Sequence, residues 1–201
     1  MNRILRRIPV IFKTLPLYAV IGVLIAIPFI QNKNKHLRIE RERQVVEARL
    51  RDSKTEEVIL EKLIQGRPSR LLIPSVDIDL AIMDGSYDPV QKRWLVNGDK
   101  IHYVTNTPFA NNKKGNTILY GHYYQWVLGK TDKLKRGDTL YIFTANDKVF
   151  KYKLIKSEIV QPNVTDVFKV NTEEPVISLI TCEGRFAQAR RLMYFKFVEV
   201  A

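Results

Sequence analysis

The chain holds a single cysteine, Cys182, in 201 residues. An internal disulfide is therefore impossible, and a cysteine-built zinc site is excluded. The sequence also lacks a nucleotide-binding glycine loop, a metal-ligand motif and a strong internal repeat, which removes phosphate-cradling and solenoid architectures. From Asn32 to Gln65 there is neither glycine nor proline, so no residue there interrupts a helix. Acidic residues are in the minority: 21 Asp and Glu stand against 33 Lys and Arg, a formal net charge of +12. Such a balance suits nucleic acid, anionic lipid or an anionic polymer and does not choose among them. A hydrophobic content of 45% with 27% charge excludes a wholly disordered chain. The length suits one medium domain with an appendage. A lone thiol is commonly a small buried hydrophobe. In an exported protein it risks oxidation, which favours retention only where the thiol is used.

Ile8 to Ile30 is apolar except for Lys13. This is long enough to span a bilayer, with Lys13 reaching back to the headgroups. Arg3, Arg6, Arg7 and Lys13 lie on its N-terminal side without an acidic residue among them, which predicts a cytoplasmic N-terminus and an exported remainder. Lys33, Lys35, Arg38, Arg41 and Arg43 follow the segment and oppose that orientation. A cleaved signal peptide is the alternative, but no small-x-small cleavage site occurs around Pro28 to Asn34.

The next stretch is rich in Glu, Arg and Lys, with Ile39, Val46, Leu50 and then Val58, Ile59, Leu63 at loosely helical spacing. Glu47 and Arg51 are placed for an ion pair one turn apart, and Ser53 to Glu56 reads as a capping box opening a second helix. The expectation is a charged helical spacer, its heptads too irregular for a coiled coil.

Gly66-Arg67-Pro68 ends that helical texture. Strands are expected at Leu71–Ile73, Asp79–Met83, Thr117–Tyr120, Thr139–Thr144, Val149–Glu158, Val176–Thr181 and Leu192–Val200, separated by turn chemistry such as Asp84-Gly85 and Arg136-Gly137-Asp138. Many short strands at this spacing predict an all-β barrel or sandwich. The chain thus divides into residues 1–31, a basic tip and transmembrane anchor; 32–66, a helical stalk; and 67–201, a β-barrel domain.

Cys182 falls at the end of the apolar run Val176–Ile180, where a strand end holds a side chain rigidly at a rim. The polar loop Glu183–Arg190 leads into another apolar strand, so an antiparallel pairing brings Arg191 to the same rim. His122 leaves the strand Thr117–Tyr120 after Gly121 in the same way. A thiol with an imidazole is the minimum pair for thiol-based acyl transfer. The imidazole supplies the proton to a leaving amine, and an arginine stabilises the developing oxyanion. Arg185 and Arg190 compete with Arg191 for that role, and adjacent arginines on one strand point to opposite faces.

These elements resemble the sortase family. Ile118 to His122 is similar to its strand-then-Gly-His element, Leu179-Ile180-Thr181-Cys182 to its Leu-x-Thr-Cys element, and Arg191-Leu192-Met193 to the arginine opening its final strand. Leu72 to Val76 resembles its first barrel strand; Asn106-Thr107-Pro108 with Gly115-Asn116-Thr117 resembles the approach to its histidine. The resemblance runs from Leu71 to Val200 in the family's order. It implies a closed eight-stranded β-barrel with short helices. It further implies a cysteine transpeptidase that cleaves a Leu-Pro-x-Thr-Gly-like signal of surface proteins between Thr and Gly. The acyl group would pass to an amine of the cell wall or another surface protein.

By motif position, Cys182 is the nucleophile, His122 the acid/base and Arg191 the oxyanion partner, with Thr181 contacting substrate or shaping the oxyanion site. Neither cofactor nor nucleic acid is implied. The arginine nine positions after the cysteine is similar to class E or class D housekeeping members, although class E tends to carry His-Pro where Glu183-Gly184 stands. Asp88-Pro89-Val90 lies after the first strand and does not match the lid of pilus-polymerising members, and with the sequence stopping at Ala201 the expectation is a housekeeping member without their C-terminal membrane helix. Asn111 to Lys114 lacks the carboxylates with which some members bind calcium. The competing readings are a sortase-fold surface-binding module without catalysis, a papain-like hydrolase, which would carry its cysteine on a helix, and a basic nucleic-acid binder.

Overall fold

The computed structural model describes residues 11–53, 62–88, 90, 93–96, 98–162, 171–184 and 187–201. The expected strands form and close on one another. In chain order these are β1 (Gln65–Gly66), β2 (Pro68–Ile73), β3 (Ile78–Asp84), β4 (Ser86–Asp88), β5 (Arg93–Leu95), β6 (Ile101–Tyr103), β7 (Ala110–Asn111), β8 (Gly115–Gly121), β9 (Thr139–Thr144), β10 (Val149–Val160), β11 (Pro175–Glu183) and β12 (Ala189–Val200). Eight form a closed barrel in the order β10-β12-β11-β8-β6-β3-β2-β9. Closure removes the unpaired edges that an open sheet exposes. The pairs β8–β11 and β3–β6 are parallel; the remaining described barrel pairs are antiparallel. Among the described residues, the short helices of the domain are single-turn 3-10 segments at Pro74–Val76 and Thr131–Lys133.

All seven expected strands are present. Pro68 opens β2, a first-residue position where its missing N–H is tolerated. The eighth barrel strand, β6, has three residues, too few for alternation to register. Inside the barrel, Leu119, Ile177, Leu179, Met193 and Phe195 pack with residues from every side. On the outer face of the same strands, Ile118, Tyr120 and Ile180 gather with Val104, Trp94 and Val96. The even-numbered residues of β8 and β11 therefore face outward, which fixes where the residues that end these strands point.

A helix, α1, runs Ile11–Ser53. Two compact units divide within it, the second being Ile39–Ala201. In that unit Ile39, Val46 and Leu50 are almost fully buried, packed on Leu72, Tyr141 and Val149 of the barrel wall. From Ile39 to Ser53, the segment expected as a spacer is therefore a docked helix. Its stripe has the spacing of either role, and only the complementary barrel patch decides between them. Glu47, expected to pair with Arg51, is instead held by Lys151 (2.8 Å) and the Tyr141 hydroxyl, and Lys151 also reaches Glu199 at 3.0 Å. The capping box beyond Ser53 lies outside the described residues, as do most side chains of the expected membrane span. Among the described residues no helix is long and apolar enough to cross a membrane.

The Glu47–Lys151–Glu199 cluster gives a pH signature. Burial opposes charge on Glu47, but hydrogen bonds from Lys151 and Tyr141 outweigh it and hold the carboxyl below its ordinary 4.5. Burial likewise opposes charge on Lys151, and hydrogen bonds to Glu47 and Glu199 hold it above its ordinary 10.5. A lowered carboxyl stabilises above its unfolded value and loses that contribution as pH falls through its folded value. A raised amine stabilises below its unfolded value and loses that contribution as pH rises through its folded value. Lys151→Met is expected to cost about 1.5–3 kcal/mol near neutral pH in urea unfolding. The difference from wild type should shrink below pH 4.5 and above pH 10.5. A difference that stays constant across that range would contradict the docking role of the cluster.

Candidate active site

Parallel pairing of β8 with β11 sets Ile180 beside Tyr120 and Thr181 beside Gly121. Thr181, buried, locks the two strand ends together: its hydroxyl donates to the Gly121 carbonyl at 3.0 Å. The next residues are His122 and Cys182. Both leave the same end of neighbouring strands, which run about 4.8 Å apart, on the outward parity of Tyr120 and Ile180. Cys182 is a free, half-buried thiol.

His122 is held from two sides. Its Nε2 lies 3.3 Å from the Val96 carbonyl. A carbonyl only accepts, so Nε2 carries the hydrogen and Nδ1 is left for proton exchange. The Tyr120 hydroxyl donates to the Leu95 carbonyl at 2.9 Å, and the Trp94 and Tyr120 rings meet at 5.6 Å, so the strand β5 that precedes Val96 is tied to β8. The ring of Tyr124 stacks on the imidazole at 4.7 Å.

Antiparallel pairing of β11 with β12 sets Arg190 opposite Cys182 and Arg191 opposite Thr181. Directly opposed residues share a face, so the adjacent arginines separate as expected of a strand. Arg190 spends Nη1 on the carbonyls of Ala187 (3.1 Å) and Ala189 (3.0 Å) in its own hairpin. The Arg191 side chain is 16% exposed, and its Nε donates to Glu183 at 2.7 Å. Tyr123 borders this pair: burial raises its phenol above the ordinary value, Glu183 and Asp132 push the same way, and Arg191 opposes them. The hairpin turn opens at Gly184, whose φ of +84° suits a residue without a side chain. Arg185 lies outside the described residues.

The site thus brings a thiol and an oriented imidazole to one strand end, with Arg190 across the hairpin from the thiol and Arg191 across from Thr181. The Val96 carbonyl, Glu183 and Tyr124 are contributors that residue types alone did not mark. Among the described residues no group of three or more His, Cys, Asp or Glu is arranged to hold a metal ion. A cavity of about 530 Å³ lined by Leu63, Pro108, Lys114 and Thr172 sits by Gly115 and Thr172, near the opposite ends of β8 and β11, and so is separate from this chemistry.

The sortase domain model matches residues 71–196, which contain His122, Thr181, Cys182, Glu183, Arg190 and Arg191. The chain belongs to the sortase family. Its fold is similar to sortase C of Clostridium perfringens (TM-score 0.53, 23% identity, 67% of this chain and 72% of that one). It is also similar to sortase C of Streptococcus pneumoniae (0.56, 21%, 67% and 68%) and sortase A of Listeria monocytogenes (0.54, 22%, 67% and 89%). At these identities the likeness concerns the sortase fold alone. Among curated proteins none matches significantly.

Proposed function

We propose that this sortase is an active cysteine transpeptidase, tethered to the membrane by its N-terminal apolar segment with the barrel outside the cell. The supporting observation is the delivery of His122 and Cys182 to one end of two strands locked by Thr181 and Gly121, with two arginines across the hairpin. Family homologues are cysteine transpeptidases. The sortase C of Clostridium perfringens has been solved with the C-terminal cell wall sorting motif, which supports substrates of the Leu-Pro-x-Thr-Gly type here. The spacing from Cys182 to Arg191 supports a class E or D housekeeping role.

In the proposed reaction the Cys182 thiolate attacks the Thr carbonyl of the signal. Arg191 holds the oxygen that becomes negative, and His122 gives a proton from Nδ1 to the departing Gly amine. The Thr is then a thioester on Cys182. A second amine attacks it, His122 takes that amine's proton, and the thiolate leaves. Glu183 occupies only the Nε edge of Arg191, and the terminal amino groups of a guanidinium are enough to hold an oxyanion.

The test is mass spectrometry of the full chain in detergent, incubated with a panel of Leu-Pro-x-Thr-Gly peptides and a glycine amine. A product joined through Thr supports the reading. A folded chain that yields neither hydrolysis nor transfer with any peptide would be the binding module instead. In the same assay, Arg191→Ala is expected to lower kcat/KM about 10²–10³-fold through kcat, while Arg190→Ala stays within about tenfold, as expected for a rim charge. The reverse ranking would move the oxyanion role to Arg190, which the register sets opposite Cys182.

A further inference from the structure

Beyond the catalytic histidine the chain places rings at every second position: His122, Tyr124 and Trp126. They form one stack. His122 and Tyr124 lie 4.7 Å apart at 28°, and Tyr124 and Trp126 lie 4.9 Å apart at 25°. The outer end stands in water, Tyr124 being 44% and Trp126 64% exposed. The loop beneath is tightly built. Val127 and Leu128 are fully buried. The Tyr124 carbonyl accepts from the N–H groups of Val127 and Gly129, both at 2.8 Å, and the Leu128 N–H donates to the His122 carbonyl at 3.1 Å. A Cβ on Gly129 would come within 2.8–2.9 Å of the Tyr124 and Gln125 backbone, so glycine is what lets the turn close. The fold therefore holds a large apolar ring out in solvent, at a cost in hydration that packing does not recover.

The chemistry of His122 says what such a shelf meets. In acyl transfer the imidazole serves the nitrogen side of the reaction, protonating the departing amine and deprotonating the incoming one. A surface continuous with that ring lies along the path of the amine. A primary amine with a pKa of about 8 to 10 arrives at neutral pH as an ammonium, and ammonium ions are attracted to the faces of Trp and Tyr within about 6 Å. We infer that Trp126, backed by Tyr124 and His122 in one stack, is the outer acceptor subsite of this enzyme, capturing the primary ammonium group of the incoming nucleophile on its outward face.

This assignment rests on the transpeptidase reading above. The ammonium sheds one proton to water, and the neutral nitrogen then attacks the thioester carbon. The C–N bond forms, the C–S bond breaks with its electron pair returning to Cys182, and the second proton goes to His122. Trp126 meets the cation on its free face, and Tyr124, covered on both faces, joins that ring to the imidazole.

The test is steady-state kinetics on the full chain in detergent with a Leu-Pro-x-Thr-Gly donor, triglycine as acceptor and hydroxylamine as a small neutral comparison. Trp126→Ala is expected to raise the KM for triglycine about five- to twentyfold and to divert the thioester to hydrolysis. Acyl-enzyme formation on Cys182 and capture by hydroxylamine should be unchanged, and Trp126→Phe should recover most of the loss. An unchanged triglycine KM overturns the subsite, and so does a Trp126→Ala variant that also loses acyl-enzyme formation, since that marks a structural role. Absence of an acyl-enzyme in the wild type would overturn the transpeptidase reading itself, and the subsite with it.

Discussion

Cys182→Ala is expected to lower transpeptidation about 10⁴-fold or more, the loss seen when the nucleophile of a covalent mechanism is removed. The thiol sits half-buried at the strand end, and losing one sulfur there should cost the fold little. The variant should therefore unfold with a midpoint close to that of the wild type while binding the donor peptide undiminished. Cys182→Ser should be equally inactive, because a hydroxyl beside the same imidazole is a far weaker nucleophile than a thiolate. Retained turnover in Cys182→Ala would remove the thiol from the mechanism, whatever the other residues do.

His122→Ala is expected to lower kcat/KM for a peptide donor by about 10²–10⁴-fold, the usual worth of general acid–base catalysis. A donor with an activated leaving group separates the roles. It departs without a proton, so the acylation defect of His122→Ala should largely vanish with it. The transfer step, in which the incoming amine still has to lose a proton, should remain slow. An equal loss on both donors in acylation would mean that His122 acts through position and not as an acid. Since Nε2 is spent on the Val96 carbonyl, His122→Gln should keep much of the local structure and still fail to exchange the proton.

Much of the barrel can be read from the chain because its long strands are sustained runs rich in β-branched and aromatic residues between turn signals, as at Thr139–Thr144, Val149–Val160 and Ala189–Val200. The strand β6 escapes that reading because three residues make no sustained run. The helix stripe of Ile39, Val46 and Leu50 was visible, but its partner surface comes from Leu72, Tyr141 and Val149, far along the chain. Local spacing therefore could not tell a spacer from a docked helix. In the site, Cys182 and His122 stand out because reactive residue types follow apolar strands directly.

Other parts of the site need the folded chain. The Val96 carbonyl is backbone and bears no residue signature. Glu183 follows Cys182 directly, yet its bond to Arg191 depends on the hairpin register. That same register sets Arg190 and not Arg191 opposite the thiol, so spacing alone does not settle the pair. The rings of Tyr124 and Trp126 carry no mark in the sequence, because in a turn a spacing of two implies no common face until the backbone is known.

The most direct test of a thiol-based transpeptidase is intact-mass analysis of the full chain quenched in acid seconds after mixing with a Leu-Pro-x-Thr-Gly donor, followed by peptide mapping. The expected result is an added mass equal to the donor fragment ending in Thr, located on Cys182, discharged by hydroxylamine and absent from Cys182→Ala. Transfer product accumulating without any adduct on Cys182, or an adduct on another residue that persists in Cys182→Ala, would contradict it.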